Sequence, residues 1–103
     1  MKNQPVQLLP LVEGDLRYGR AYYDSWLTDG GLQFHEKFRE TLAWIEWNPE
    51  MFPRKYRGFR RVVIRRTYFG VYFAIEAEVT TVIAVVDLRQ NPKTIRQLLI
   101  ERI

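Results

Sequence analysis

The five apolar residues Val82-Ile83-Ala84-Val85-Val86, bracketed by Thr80-Thr81 and Asp87, constrain the fold more than any other segment. A short, uncharged, continuous run of this kind fits a strand buried at the centre of a sheet, so the rest of the chain must supply its neighbours. Gly70 to Glu78 alternates, with Val71, Phe73, Ile75 and Ala77 opposed to Tyr72, Ala74, Glu76 and Glu78. Phe59 to Arg66 does the same, setting Val62 and Ile64 against Arg61, Val63 and Arg65, the pattern of a strand with one covered face and one exposed basic face. Val6 to Leu9 predicts a further short strand, stopped by Pro10, which cannot donate to a ladder.

Between the first strand and the others the period lengthens. Val12, Leu16, Gly19, Tyr23, Trp26 and Leu27 recur at steps of three and four, the apolar face of a helix, and Asp29-Gly30-Gly31 punctuates its end. A second helix carries Phe34, Phe38, Leu42 and Ile45 on one face and Glu36, Arg39, Glu40 and Glu46 on the other, until Asn48-Pro49 and Pro53 close it. The two predict a helical hairpin joined by a Gly-Gly turn. At the other end Asn91 is a plausible N-cap, Pro92 fits the first helical position, and Ile95, Leu98 and Leu99 share a face. The expected architecture is α+β: an N-terminal strand and a helical hairpin packed on a mostly antiparallel sheet, with a short C-terminal helix. At 103 residues, with 47% apolar content, the chain forms one domain over residues 1–103.

Charge is concentrated rather than spread. The net charge is +4, but seven cations (Arg54, Lys55, Arg57, Arg60, Arg61, Arg65, Arg66) fall between Arg54 and Arg66 with no acid among them, leaving nine cations and twelve acids elsewhere. Cations on an exposed strand guard against edge-to-edge association. Six of the seven are arginines, whose forked donors suit phosphates or an acidic partner segment. A second feature is aromatic: Tyr18, Tyr22 and Trp26 follow at spacing four on a ridge rotated from the core stripe, with Gly19 where close packing wants no side chain. Trp47 falls away from Phe34 and Phe38, and Trp44 at the boundary. Apolar side chains off a core face either wrap into the domain or mark a partner surface.

Several chemistries lack their residues. With no cysteine there is neither a disulfide framework nor a thiolate metal site, and a reducing cytoplasm is the expected compartment. The N-terminus has no secretory h-region, and no run reaches the ~20 residues of a membrane span. His35, the one histidine, reads as a helix-surface residue, and the carboxylates have no metal-ligand spacing. Gly30-Gly31 follows a helix and lacks a phosphate-loop signature, while Glu76 and Glu78 read as a solvated face near a hairpin turn.

In order and spacing, Asn48-Pro49-Glu50-Met51-Phe52-Pro53, Arg60-Arg61-Val62-Val63-Ile64-Arg65-Arg66, Val71-Tyr72-Phe73 and Val82 to Val86, continuing through Arg89 to Pro92, resemble the RelE/ParE superfamily of toxins from type II toxin–antitoxin modules. Asp15-Leu16 and Ala21-Tyr22-Tyr23 extend the likeness, which covers roughly residues 6 to 95. The resemblance implies the fold described above and one of two activities. RelE-like members are ribosome-dependent, metal-independent ribonucleases that cut mRNA with Arg, Lys and Tyr side chains; ParE-like members inhibit DNA gyrase.

The departures favour the ParE-like class. No Tyr, His or Asp follows Leu88, so the C-terminal aromatic that resembles a RelE general base is missing. Where many relatives carry Phe-Pro-Tyr and a His, this chain has Thr67-Tyr68-Phe69 and Asp87, and Gln90 replaces an expected second Arg after Arg89. Arginines without a proton-transfer partner are an incomplete set for phosphate cleavage. The resemblance therefore implies a growth-inhibiting, plasmid-stabilising toxin without catalytic residues, metal or cofactor. Its partner would be a ParD-like antitoxin, through which DNA contact is made. We expect Tyr18, Tyr22, Trp26, Trp44, Trp47, Arg57 and Arg60 to bind the antitoxin, and Arg61, Arg65, Arg89 and Arg96 to face the target. The alternative is a RelE-like nuclease with Arg61, Arg65 and Arg89 on the phosphate and Tyr68 or Tyr72 moving the proton.

Overall fold

The computed structural model describes residues 4–103; residues 1–3, where the expected domain begins, lie outside the described residues. Strand β1 (Val6–Leu8) is followed by helices α1 (Val12–Asp24) and α2 (Gly30–Trp47) and a 3-10 turn at Pro49–Met51. Strands β2 (Arg54–Tyr56), β3 (Phe59–Val63), β4 (Phe69–Ile75) and β5 (Thr80–Asp87) then lead to helix α3 (Pro92–Glu101). The five strands form one sheet in the order β1-β5-β4-β3-β2, antiparallel except for β1, which pairs parallel with β5. The expected α+β arrangement is present, with Val82 to Val86 on an interior strand.

The helical hairpin covers one face of the sheet. Val12, Leu16 and Tyr23 of α1 and Phe34, Phe38 and Ile45 of α2 are buried with Val71 and Phe73 of β4 and Val82 and Val85 of β5. Gly19 meets its expectation: a Cβ there would stand 2.6 Å from the Phe34 ring, so only glycine lets the helices approach this closely. On the opposite face α3 lays Ile95 and Leu99 on Tyr72, Ile83, Ala84 and Val86. Its cap is as expected, the Asn91 side chain accepting from Lys93 N at 2.8 Å ahead of Pro92.

Three expectations are corrected. The helices are not joined at Gly30-Gly31: α1 ends at Asp24, so Trp26 and Leu27 lie exposed in the connection, and both glycines belong to the first turn of α2. They are needed for close approach, since a Cβ on Gly31 would meet the Asp24 carboxylate, which accepts from Gly31 N at 2.7 Å and caps α2 from the preceding helix. The strand expected over Phe59 to Arg66 stops at Val63, because Arg66 turns left-handed (φ 61°) and the chain folds back, Ile64 N donating to Phe69 O. Finally, Arg54-Lys55-Tyr56 forms an edge strand, where the sequence pattern predicts none. Arg57 (φ 54°) and Gly58 (φ 99°) both take positive φ, the condition for a tight two-residue hairpin turn.

One irregularity organises the rest. Tyr72 pairs with Ala84 but Phe73 pairs with Val82, so Ile83 is an extra residue, a β-bulge in β5. The bulge shifts the phase of the strand: Val82 and Val85 face the hairpin while Ile83, Ala84 and Val86 face α3. Beyond Val82, β1 no longer pairs with β5. There Asp15 Oδ2 of α1 accepts from Val85 N at 2.9 Å, and Arg102 Nη1, just past α3, donates to Ile83 O at 3.0 Å. Arg102 and Asp15 also form a two-pronged ion pair at 2.6 and 2.8 Å, with side chains 11% and 12% exposed.

Removing one member of a buried ion pair strands the other, so Asp15→Ala should lower the unfolding free energy by about 3–5 kcal/mol in denaturant titrations. Gly19→Ala should cost about 1–3 kcal/mol through overpacking against Phe34. Gly14→Ala, where a Cβ meets nothing within 4 Å, should gain about 0.5–1 kcal/mol. Equal effects at the two glycines would contradict the packing described.

Candidate partner surfaces and cationic clusters

The expected aromatic residues fall into two groups. Tyr18 and Tyr22 project from α1 onto Phe69, with ring centroids 6.3 and 6.2 Å away, and Trp26 meets Tyr22 edge-on at 6.3 Å although it lies beyond the helix. Tyr18 and Trp26 are exposed and Tyr22 half-buried. Trp44 and Trp47 pack edge to face at 5.7 Å near the far end of α2, and Met51 is exposed nearby in sequence. Most of the 18 residues of α2, about 27 Å in all, separate this pair from Trp26. Beside Trp44 an open groove runs between α2 and β3, lined by Thr41, Trp44, Met51, Phe52, Val62 and Val63 and flanked by Glu40 and Arg65.

Arg89 joins the first group. Its guanidinium lies 4.1 Å from the Tyr68 ring centre and 4.9 Å from that of Tyr22, and Nη1 donates to the Tyr22 hydroxyl at 3.0 Å. Asp87 holds it from below, accepting from Nη2 at 2.6 Å, Nε at 3.0 Å and the Arg89 amide at 2.9 Å. The hydrogen bonds from Arg89 hold the Asp87 carboxyl below its ordinary value of 3.8, and those to Asp87 and Tyr22 push the Arg89 guanidinium up. The charge of Arg89 is thus matched by a carboxylate. Asp87 and Tyr68 were not assigned to a partner surface from sequence, although the Asp-x-Arg spacing at the end of β5 carries the signal: an Asp side chain readily accepts from the backbone N–H two residues on, and the turn so formed brings the Arg back beside it.

The expected cations divide by what they touch. Arg60 Nη1 donates to the carbonyls of Phe52 (2.7 Å) and Glu50 (3.2 Å), tying β3 to the 3-10 turn. Arg57 lies 5.4 Å from the Tyr56 ring centre and donates to its hydroxyl. Arg65 pairs with Glu40 at 3.4 Å, an exposed bridge worth ~0–1 kcal/mol. Arg61 and Arg65 were expected on one strand face, and this is corrected: Arg65 stands in the turn beyond β3 and reaches α2, while Arg61 faces the α3 side. There Arg61 shares a cavity with Lys55 of β2 and Arg96 of α3. Tyr72, which the nuclease alternative would employ, is buried in the wall of that cavity, and Tyr68 is exposed against Arg89. His35 is half-buried rather than on the surface, its Nδ1 shielded and without a hydrogen-bond partner. Glu76 and Glu78 are exposed, as expected, but they stand in the β4–β5 connection and not on the strand expected over Gly70 to Glu78, which stops at Ile75.

Among the described residues no group of three His, Cys, Asp or Glu side chains is placed to hold a metal ion, and no helix is long and apolar enough to cross a membrane.

No protein-family model matches the chain, and no curated protein does. Comparison with solved structures is informative: a chain of the "Chromosomal ParDE TA system from P. aeruginosa" superposes with a TM-score of 0.74, covering 84% of this chain and 97% of that one at 12% sequence identity. The two chains share one fold. That likeness agrees with the fold the sequence resemblance implies, and it takes in nearly all of the other chain rather than a shared fragment.

The Asp87–Arg89 pair sets a pH dependence. Because the folded-state pKa of Asp87 is depressed, its contribution is complete above the ordinary carboxylate value of 3.8 and is lost as pH falls below it through the lowered folded value. Denaturant midpoints measured from pH 5 downward should fall less steeply in Asp87→Asn than in the parent chain. Identical slopes would mean that the pair contributes nothing.

Proposed function

We propose that the chain is the toxin of a type II toxin–antitoxin module, ParE-like in class, which inhibits DNA gyrase and is neutralised by direct binding of a ParD-like antitoxin. The observation that carries this reading is the fold shared with a chain of a ParDE system over 97% of that chain, together with exposed aromatic rings on α1 and α2 that the core does not consume. The antitoxin would hold the toxin through a segment that folds on binding, for which rigid aromatic anchors suit the contact. Tyr18, Tyr22 and Trp26 form one anchor site and Trp44 and Trp47 the other, and an extended segment following α2 would span both. Arg57 and Arg60 would lie along its course, and Arg61, Arg65, Arg89 and Arg96 would remain for the target.

The state of Arg89 supports an inhibitor over a ribonuclease. Asp87 already occupies its forked donors, and a carboxylate beside a phosphate subsite opposes an RNA backbone. This reading places the protein in the cytoplasm with gyrase and assigns it no cofactor.

Purified protein should inhibit supercoiling by gyrase and leave mRNA intact on translating ribosomes; codon-dependent cleavage without gyrase inhibition would overturn the reading. Trp26→Ala and Trp44→Ala should each weaken antitoxin binding by tenfold or more, the scale of a ~2 kcal/mol anchor. Association with an acidic antitoxin tail should slow as salt rises, because steering is screened within ~10 Å at 0.1 M.

A further inference from the structure

We propose that the free edge of β1 is a self-association surface, which pairs with β1 of a second copy of this chain about a two-fold axis. The two edges of the sheet are protected differently. The β2 edge carries Arg54 and Lys55, whose charges repel the same edge of another copy. The β1 edge has no such guard: no residue from Gln4 to Leu11 is charged, and Leu8 on the edge is 40% exposed. An uncharged, partly apolar edge invites a further strand.

The hydrogen bonds to β5 fix which backbone groups of β1 are free. Pro5 O accepts from Thr80 N at 2.9 Å and Leu9 N donates to Val82 O at 3.0 Å, so residues 5, 7 and 9 turn their backbone towards β5. Val6 and Leu8, the alternate residues, turn theirs outward. When two copies pair antiparallel, Val6 of each lies opposite Leu8 of the other, and each such pair exchanges two hydrogen bonds, with Gln7 beside its own copy at the axis. Val6 packs on the hairpin core, and Leu8, two residues on, shares that side of the strand. Each cross-strand pair therefore sets the exposed Leu8 against a valine.

Helix α2 selects a second copy as the occupant. Arg39, Leu42, Ala43 and Glu46 line an open cleft with Val6, so this face of α2 stands beside the β1 edge. Arg39 and Glu46 are exposed, and among the described residues neither forms an ion pair. They are seven residues apart, about 10.5 Å along one side of the helix. A two-fold axis normal to the sheet keeps both hairpins on one face and runs the two α2 helices antiparallel. Arg39 of each copy then lies opposite Glu46 of the other, with Leu42 against Ala43 between them. A purely acidic or purely basic partner segment would match one of these charges and oppose the other; only a surface with the same pair in reverse order matches both.

The test is sedimentation equilibrium of the full chain from about 10 µM to about 1 mM, with amide hydrogen exchange followed at both ends of that range. We expect the mean mass to rise from one chain towards two. The Val6 and Leu8 amides should gain protection as it does, while that of Gln7, already bonded to β5, should not change. Leu8→Lys, which puts a charge on the edge, should weaken the dimer about tenfold or more. Arg39→Glu and Glu46→Arg should each weaken it by setting like charges opposite one another, yet an equimolar mixture of the two variants should associate about tenfold more tightly than either alone. A chain that stays monomeric throughout, protection of Val6 and Leu8 that appears only on adding an antitoxin segment, or a mixture no tighter than its components would overturn the proposal. Self-association is measured on the chain alone, so its absence is distinct from a failure of the gyrase assay.

Discussion

The Asp15–Arg102 ion pair is the interaction on which the arrangement of layers depends. It sits where β1 has stopped pairing and β5 bulges at Ile83, so two backbone groups of the most buried strand need partners that no neighbouring strand supplies. Asp15 satisfies the Val85 amide from the hairpin side, Arg102 satisfies the Ile83 carbonyl from the α3 side, and the two then neutralise each other. An unsatisfied buried polar group costs about 1–3 kcal/mol, so the four groups are tolerable only together. The bulge in turn permits the layering: without the phase shift, Val82, Ala84 and Val86 would face one way and Ile83 and Val85 the other, and neither the hairpin nor α3 would meet its present set of side chains.

The same logic of pairing sorts the surface charge. A net charge of +4 says little until each cation is followed to its contacts. Arg60 braces a turn, Arg65 reaches α2, Arg89 is held between Asp87 and two tyrosines, and Arg102 is internal. Their electrostatic reach outside the domain is correspondingly reduced. Lys55, Arg61 and Arg96 have no such partners among the described residues, so the field on the α3 face comes from a different set of residues than the density of arginines in sequence suggests.

The extent to which this was legible follows from the range of the interactions. Helices α1, α2 and α3 and strands β4 and β5 were readable because burial of one face writes a period of 3.6 or 2 into consecutive residues. β2 was not, since Arg54-Lys55-Tyr56 is an exposed edge strand with no alternation to display; its evidence is the positive φ of Arg57 and Gly58. Gly30 and Gly31 misled for a related reason: glycine marks a turn or a close approach, and here the approach of Asp24 and Tyr23 decides. The bulge is invisible in an all-apolar run, where a one-residue slip leaves no polar residue on the wrong face. Asp15 and Arg102 are 87 residues apart, and the Lys55–Arg61–Arg96 cavity needs α3 folded across the sheet, so only tertiary structure could assemble either.

That the two candidate surfaces lie on opposite sides of the sheet has a mechanical consequence. The aromatic rings are carried by the hairpin, the cationic cavity is roofed by α3, and the Asp15–Arg102 pair joins those layers through the bulged strand between them. Lifting α3 would expose Ile95 and Leu99, each contributing ~1.5–3 kcal/mol by burial, and would also strip Asp15 of its counter-charge and Ile83 of its donor. The cost therefore falls on α1 as well as on α3. A partner seated on the hairpin would therefore meet backbone whose support is fixed from the far side of the sheet, and a surface held in this way has less to order on binding.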